Sequence, residues 1–269
     1  MGIKEKIQQL YSCVNEKSPL VHHITNYVTV NDCANIVLAL GGSAVMADAA
    51  EEVEDMVSIA SALVLNIGTL NSVKIESMLA AGKKANQLGI PVILDPVGVG
   101  ATPYRKEMAL KLISKIKFAV IRGNLAEIKT LCGMQALSKG VDSEDTDNGL
   151  EAAKQLSAML NTVVVISGKI DYISDGDKVI TIHNGHEMLK KVTGTGCMSA
   201  SLIGTYCGVT DDYFTAAAAG TLTMGIAGQI AYNRLSDNDG TSSYKTYIID
   251  AISNFSPKHI SEWGDIRES

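Results

Sequence analysis

The chain carries no long basic run, no C-x-x-C pair and no apolar stretch of membrane-spanning length. Each absence removes a class of function. Lys and Arg are not clustered and the formal charge is -6, so the electrostatic footprint of a nucleic-acid binder is missing. The longest apolar rows are broken by Gly, Asn or charge, so no transmembrane helix is expected and no membrane partner. The amino terminus, Met1-Gly2-Ile3-Lys4-Glu5-Lys6, has no apolar signal region, which points to a cytoplasmic protein. The five cysteines (Cys13, Cys33, Cys132, Cys197 and Cys207) are odd in number. That fits a reduced compartment better than a disulfide scaffold or a zinc module. Aromatics make up only 5% of the residues, whereas the hydrophobic share is 46%. The core is therefore expected to be large and made of small side chains, with helices packed closely on a sheet.

What is present is an alternation. Short β-branched runs at 62–66, 91–95, 118–121 and 162–166 are separated by stretches with helical spacing at 71–88, 104–114, 125–132 and 150–160. Continuous apolar strands separated by helices predict a parallel sheet covered on both faces. Right-handed crossovers then give an α/β/α sandwich, α/β in class, with a mostly parallel central sheet. After Ile166 the pattern changes. Residues 172–174 and 179–182 flank Asp175-Gly176-Asp177, a hairpin signal. From Gly194 onward the chain reads as helical, with further helices at 212–233, 244–254 and around 259–263. The acidic stretch 138–148 is expected to be a surface connection. No repeat or linker is evident, so residues 1–269 are expected to form a single domain.

In an open parallel sheet, ligands bind beyond the carboxyl ends of the strands. Four of these ends carry polar or glycine-rich residues: Asn66-Ile67-Gly68-Thr69, Asp95-Pro96-Val97-Gly98, Arg122-Gly123-Asn124 and Ser167-Gly168-Lys169. A fifth segment, Val192-Thr193-Gly194-Thr195-Gly196-Cys197, opens a small-residue helix. Its glycines let the backbone approach an anion closely, and the free N–H groups of the first turn point at it. Together these segments suggest an enzyme that handles a phosphate beside a small acceptor.

Each candidate has a plainer reading beside the functional one. Asp95 suits a Mg²⁺–phosphate site, or satisfies loop amides. Glu127 holds a metal or its waters, or completes a capping box with Asn124. Arg122 reaches nucleotide phosphates or pairs with an acid. Cys197 at a helix amino terminus is expected to have a lowered pKa, although a buried thiol is otherwise an inert hydrophobe. Asn26, Met46 and Gly68 are candidates to line a pocket for a small apolar ring, and Met46 is otherwise core. His22 and His23 lack metal-ligand spacing and read as structural.

Taken in order, these segments resemble the hydroxyethylthiazole kinases, within the ribokinase-like superfamily. The matching pieces are His22-His23-Ile24-Thr25-Asn26-Tyr27-Val28, Ala34-Asn35 with Gly41-Gly42-Ser43, Met46-Ala47, Leu65-Asn66-Ile67-Gly68-Thr69, Asp95 to Ala101, Arg122 to Glu127 and Val192 to Cys197. Most ribokinase-like kinases have an Asp base where this chain has Cys197, and that departure is what the thiazole kinases look like. The resemblance implies a ribokinase-like fold and ATP-dependent phosphorylation of 4-methyl-5-(2-hydroxyethyl)thiazole, for thiamine salvage. It implies Met46 and Gly194 at the thiazole, with Asn26, Val28 and Gly68 also in the pocket. Arg122 and Ser167 are implied at ATP, and Asp95 and Glu127 at Mg²⁺. The amides of Gly194, Thr195, Gly196 and Cys197 are then expected to hold the transferring phosphoryl group, with Cys197 placed to accept the alcohol proton. A homotrimer with acceptor pockets between subunits is also implied.

Other readings keep or change the chemistry. A dehydratase of hydrated nicotinamide cofactors, or a pyrimidine-alcohol kinase, is expected to carry Asp at position 197. A thiol enzyme with Cys197 as covalent nucleophile needs a base such as His22 or His23 beside it. A non-catalytic nucleotide sensor has no need of both Asp95 and Glu127.

Overall fold

The computed structural model describes residues 1–133 and 146–268. Its centre is a sheet of nine strands: β1 (Leu20–Ile24), β2 (Ser43–Met46), β3 (Ala62–Asn66), β4 (Val92–Asp95), β5 (Val120–Asn124), β6 (Val163–Ser167), β7 (Asp171–Ser174), β8 (Val179–Ile182) and β9 (Ile266–Glu268). The spatial order is β2-β1-β3-β4-β5-β6-β7-β8-β9. The first six are parallel, and β7, β8 and β9 continue the sheet antiparallel. The mostly parallel sandwich expected from the sequence is the fold observed.

Strand alternation divides the core in two. Along β3, Ala62 and Val64 point to one layer while Leu63 and Leu65 point to the other, and all four are buried. The first layer receives α1 (Ile3–Lys17), α2 (Val30–Leu40), α8 (Thr195–Cys207), α9 (Tyr213–Asn233), α10 (Thr241–Ser253) and α11 (Pro257–Trp263). The second receives α3 (Val53–Ser58), α4 (Ser72–Leu88), α5 (Pro103–Ile113), α6 (Leu125–Leu131) and α7 (Thr146–Leu160). Helices α8 and α9 are almost wholly buried, which their Ala, Gly, Ser and Thr content allows.

Local chemistry sets several boundaries. Asn71 caps α4 by accepting from the Lys74 amide, and Thr102 caps α5 ahead of Pro103. Asn124 and Glu127 form a reciprocal capping box on α6. Strand β5 runs on to Asn124, so Arg122 lies within the strand and not just beyond it. The hairpin expected around Asp175-Gly176-Asp177 is β7–β8. Of the acidic connection expected over 138–148, residues 138–145 lie outside the described residues, and α7 already begins at Thr146.

Candidate active site

The parallel register places Asn66 beside Asp95 at the carboxyl ends of β3 and β4. Asn66 Nδ2 donates to Asp95 Oδ2 at 2.6 Å and to Cys197 Sγ at 3.2 Å. Its Oδ1 accepts from Asn26 Nδ2 and from the Gly68 amide, each at 2.9 Å. Asn26 Nδ2 also lies 3.4 Å from Cys197 Sγ. Asn26 Oδ1 in turn accepts from the amide and hydroxyl of Thr29, at 3.0 and 3.1 Å. A chain of side-chain amides thus ties the thiol at the start of α8 to the carboxylate at the end of β4.

Gly194 caps α8 with φ +92°, a conformation that glycine reaches without a Cβ clash. The Thr195 hydroxyl turns back to the Leu189 carbonyl at 3.0 Å, so its amide, not its hydroxyl, is left for a ligand. The first-turn amides have no intrahelical acceptor and the helix dipole is positive at this end, a chemistry able to take an anion. Arg122 reaches the same place from β5. A Cβ on Gly196 would stand 2.7 Å from Arg122 Nη1, so glycine is what lets the guanidinium lie against the turn. Arg122 Nε is buried without a hydrogen-bond partner.

The electrostatics correct one expectation. Burial, then the nearby Asp95 charge, push the Cys197 thiol up, against hydrogen bonds from Thr29, Asn26 and Asn66. Cys197 is thus a protonated thiol near neutral pH, not the thiolate the sequence position predicts. Burial also pushes Asp95 up to about 6, with Arg122 opposing and Glu127 adding to the shift. Asp95 Oδ1 is buried and makes no hydrogen bond. Glu127 accepts from the Gly98 amide through Oε1 and the Asn124 amide through Oε2, both at 2.8 Å. It therefore fastens the β4–α5 loop to the start of α6, as the capping-box reading expects.

The remaining predicted residues lie on neighbouring strand ends and loops. Met46 ends β2, half-buried, in register with His23. Gly68 follows β3, and a Cβ there would press on Asn26 and Asn66. Val28 is 58% exposed beside Tyr27 at 77%. Ser167 ends β6 opposite Asn124, with its hydroxyl 3.4 Å from the Gly123 carbonyl. The histidines are structural. His22 Nε2 bonds the Ala47 carbonyl at 2.7 Å and His23 Nε2 the Ser201 hydroxyl at 3.0 Å. Burial lowers both pKa values, His23 to about 4. Cys197 therefore has amide and hydroxyl partners, while the Nε2 of each histidine is engaged elsewhere.

Sequence reasoning missed three residues. Arg105 on α5 donates to the carbonyls of Ile67 and Gly68, each at 2.7 Å, and of Val97 at 2.9 Å. It pins two of the glycine loops together, and nothing in its helical setting signals that. Asp171, opening β7, accepts from the Gly168 amide at 2.9 Å; burial pushes it up to about 7, with Arg122 opposing. A carboxylate at a strand start was its signal. Asp32, in the first turn of α2, pairs with Lys245 of α10 at 2.9 Å beside Gly194.

The model of the hydroxyethylthiazole kinase family matches residues 11–258. The chain is 54% identical to the hydroxyethylthiazole kinase of Alkaliphilus oremlandii over 270 residues, covering 100% of both. It is 53% identical to that of Clostridium tetani, covering 99% of both. It superposes on the hydroxyethylthiazole kinase structure from Pyrococcus horikoshii OT3 with a TM-score of 0.91 at 38% identity, covering 98% of this chain and 99% of that one. The pyridoxal kinase of Staphylococcus aureus, solved in complex with ADP, shares the fold at TM-score 0.66 and 16% identity. With most of its length matched by the family model and by relatives at half identity, the chain belongs to the hydroxyethylthiazole kinase family.

Proposed function

We propose that the carboxyl edge of the sheet is where this kinase transfers the terminal phosphoryl group of ATP to the hydroxyl of 4-methyl-5-(2-hydroxyethyl)thiazole, the salvage step toward thiamine. The observation that carries this placement is the Asn66 bridge, which sets Cys197 of the α8 anion turn beside Asp95.

The reaction passes through a loose transition state, so positioning and charge stabilisation dominate. The amides of Gly194, Thr195, Gly196 and Cys197 hold the moving phosphoryl group. Arg122, pressed on that turn, supplies a cation to it, and Ser167 contacts ATP from the neighbouring strand end. Asn26, Met46, Gly68 and Gly194 surround the thiazole, with Val28 closing the pocket from its exposed turn. The thiol of Cys197 is protonated, so it is a poor base. The alcohol proton leaves late, and Cys197 contributes modestly as a relay, passing its own S–H proton on to a phosphate oxygen as it takes up that of the alcohol.

The donors fit Mg²⁺ held jointly with ATP. Asp95 Oδ1 is a buried carboxylate oxygen without a partner, whereas both Glu127 oxygens already accept amides. Among the described residues no group of three or more His, Cys, Asp and Glu could hold an ion without help. Asp95 would hold it directly or through water and Glu127 through ordered water, and when bound it neutralises phosphate charge.

The unit is one kinase domain over residues 1–269, working in the cytoplasm, and it assembles as a homotrimer. Exposed Tyr27 and Val28 beside the acceptor side support an interface there. No helix among the described residues is long and apolar enough to cross a membrane. ATP consumption with Mg²⁺ and the thiazole alcohol, the aminopyrimidine alcohol of thiamine synthesis, or no acceptor tests the reaction. Turnover with the thiazole alone is expected, and turnover with the pyrimidine alone would reassign the acceptor pocket. Light scattering at several concentrations tests the trimer.

A further inference from the structure

Lys74 is buried in the first turn of α4, and local physics argues against a cation there. A helix amino terminus is the positive end of the dipole, and removing an amine from water costs free energy unless it is partnered. A residue that breaks local rules is best explained by what its far end holds. Here Nζ donates to the Thr25 carbonyl at 2.8 Å and lies 3.6 Å from Asp48 Oδ2.

Those two partners belong to different loops. Thr25 follows β1 and immediately precedes Asn26, whose amide contacts Cys197. Asp48 follows β2, two residues beyond Met46. The second loop is also tied from β1, through His22 Nε2 to the Ala47 carbonyl. None of the hydrogen bonds and ion pairs of the Lys74 side chain reaches Arg122, Glu127 or Ser167.

We infer that Lys74 is a positioning residue for the acceptor: it fixes the Thr25–Asn26 loop against the Met46–Asp48 loop, and so sets the shape of the thiazole pocket without touching the nucleotide side. This rests on the reading that Asn26 and Met46 line that pocket. A pocket whose walls shift binds the acceptor less well in ground and transition state alike, so the effect falls on the acceptor KM.

The test is a steady-state comparison of Lys74→Met, Lys74→Arg and Met46→Ala with the unaltered kinase. KM is measured separately for the thiazole alcohol and for ATP, alongside Tm. Lys74→Met is expected to raise the acceptor KM about tenfold with ATP KM unchanged, and Lys74→Arg to restore most of the loss. If Lys74→Met does not fold, Lys74→Gln is read in the same way. An unchanged acceptor KM, or acceptor and ATP KM rising together with a fall in Tm, overturns the inference. Met46→Ala separates the two levels. If it leaves the acceptor KM unchanged, the pocket assignment is wrong. If it raises the acceptor KM while Lys74→Met does not, only the role of Lys74 is wrong.

Discussion

The Arg122 guanidinium lies directly against Gly196, with Nη1 2.7 Å from where a Cβ would stand. Gly196→Ala must therefore move the arginine off the α8 turn. The expected outcome is a rise of about tenfold in the ATP KM, with the acceptor KM changed much less, because phosphoryl transfer depends on placement of the cation. Steady-state kinetics with each substrate varied in turn checks it. An unaltered ATP KM together with an unaltered kcat would show that the guanidinium does not serve the phosphates.

Cys197 is held by amide and hydroxyl groups and kept protonated by burial and by Asp95. Its thiol is thus expected to react slowly with iodoacetamide near neutral pH, since the thiolate is the nucleophile. Half-exposed Cys13 is the comparison within the same molecule. Cys197→Ser is expected to retain a reduced but measurable rate, about one to two orders of magnitude down, at the low end for a lost proton-transfer group. Cys197→Asp is expected to remain active, because Asn26, Asn66 and Thr29 can donate to its carboxylate. If both variants fold and are wholly inactive, the thiol does far more than a modest relay.

Much of this was written in local sequence. Strand β3 and the helix after it follow from an apolar run and from the helical spacing over 71–88, and the strand-end rule singles out Asn66, Asp95 and Ser167. Strand β1 is harder to read, because His22 and His23 interrupt its apolar pattern and are accommodated by the Ala47 and Val21 carbonyls and the Ser201 hydroxyl. Edge strand β2 is only half-buried, and β9 ends in exposed Arg267 and Glu268, so neither carries a strong pattern. The Cys197 shift is illegible for another reason. A helix terminus is visible in sequence, but the burial and the Asp95 charge that raise the thiol arise from tertiary packing. Arg105 and Lys74 act through backbone carbonyls distant in sequence, which no motif encodes.

Asp171 gives a pH dependence with a definite sign. Its folded pKa is raised from 3.8 to about 7, chiefly by burial. A carboxyl raised in this way contributes stability that is fully present below 3.8 and lost as pH climbs through about 7. Asp171→Asn keeps an oxygen for the Gly168 amide but cannot ionise. Relative to this variant, the unaltered protein is expected to lose stability steadily across that window and to level off above it. Urea unfolding of both proteins over a pH series checks this. A stability difference that stays flat with pH would show that Asp171 ionises freely.

Arg105 offers the clearest stability prediction. One guanidinium satisfies three backbone carbonyls, those of Ile67, Gly68 and Val97, and so joins the loops after β3 and β4. Arg105→Met keeps much of the apolar stem but strips every donor. Leaving part-buried carbonyls unpaired costs about 1–3 kcal/mol. For a chain of this size that is a fall in Tm of a few degrees, roughly 2–4 °C per kcal/mol. Arg105→Lys is expected to recover only part, because a single ammonium cannot reproduce the planar fork that meets all three carbonyls. Because Gly68 also donates its amide to Asn66, loosening its loop should reach the Asn66–Cys197 contact and lower kcat as well. Calorimetry and kinetics on the same preparations check both effects. A Tm equal to that of the unaltered protein would mean that water replaces the guanidinium at no cost and that the two loops hold their shape without it.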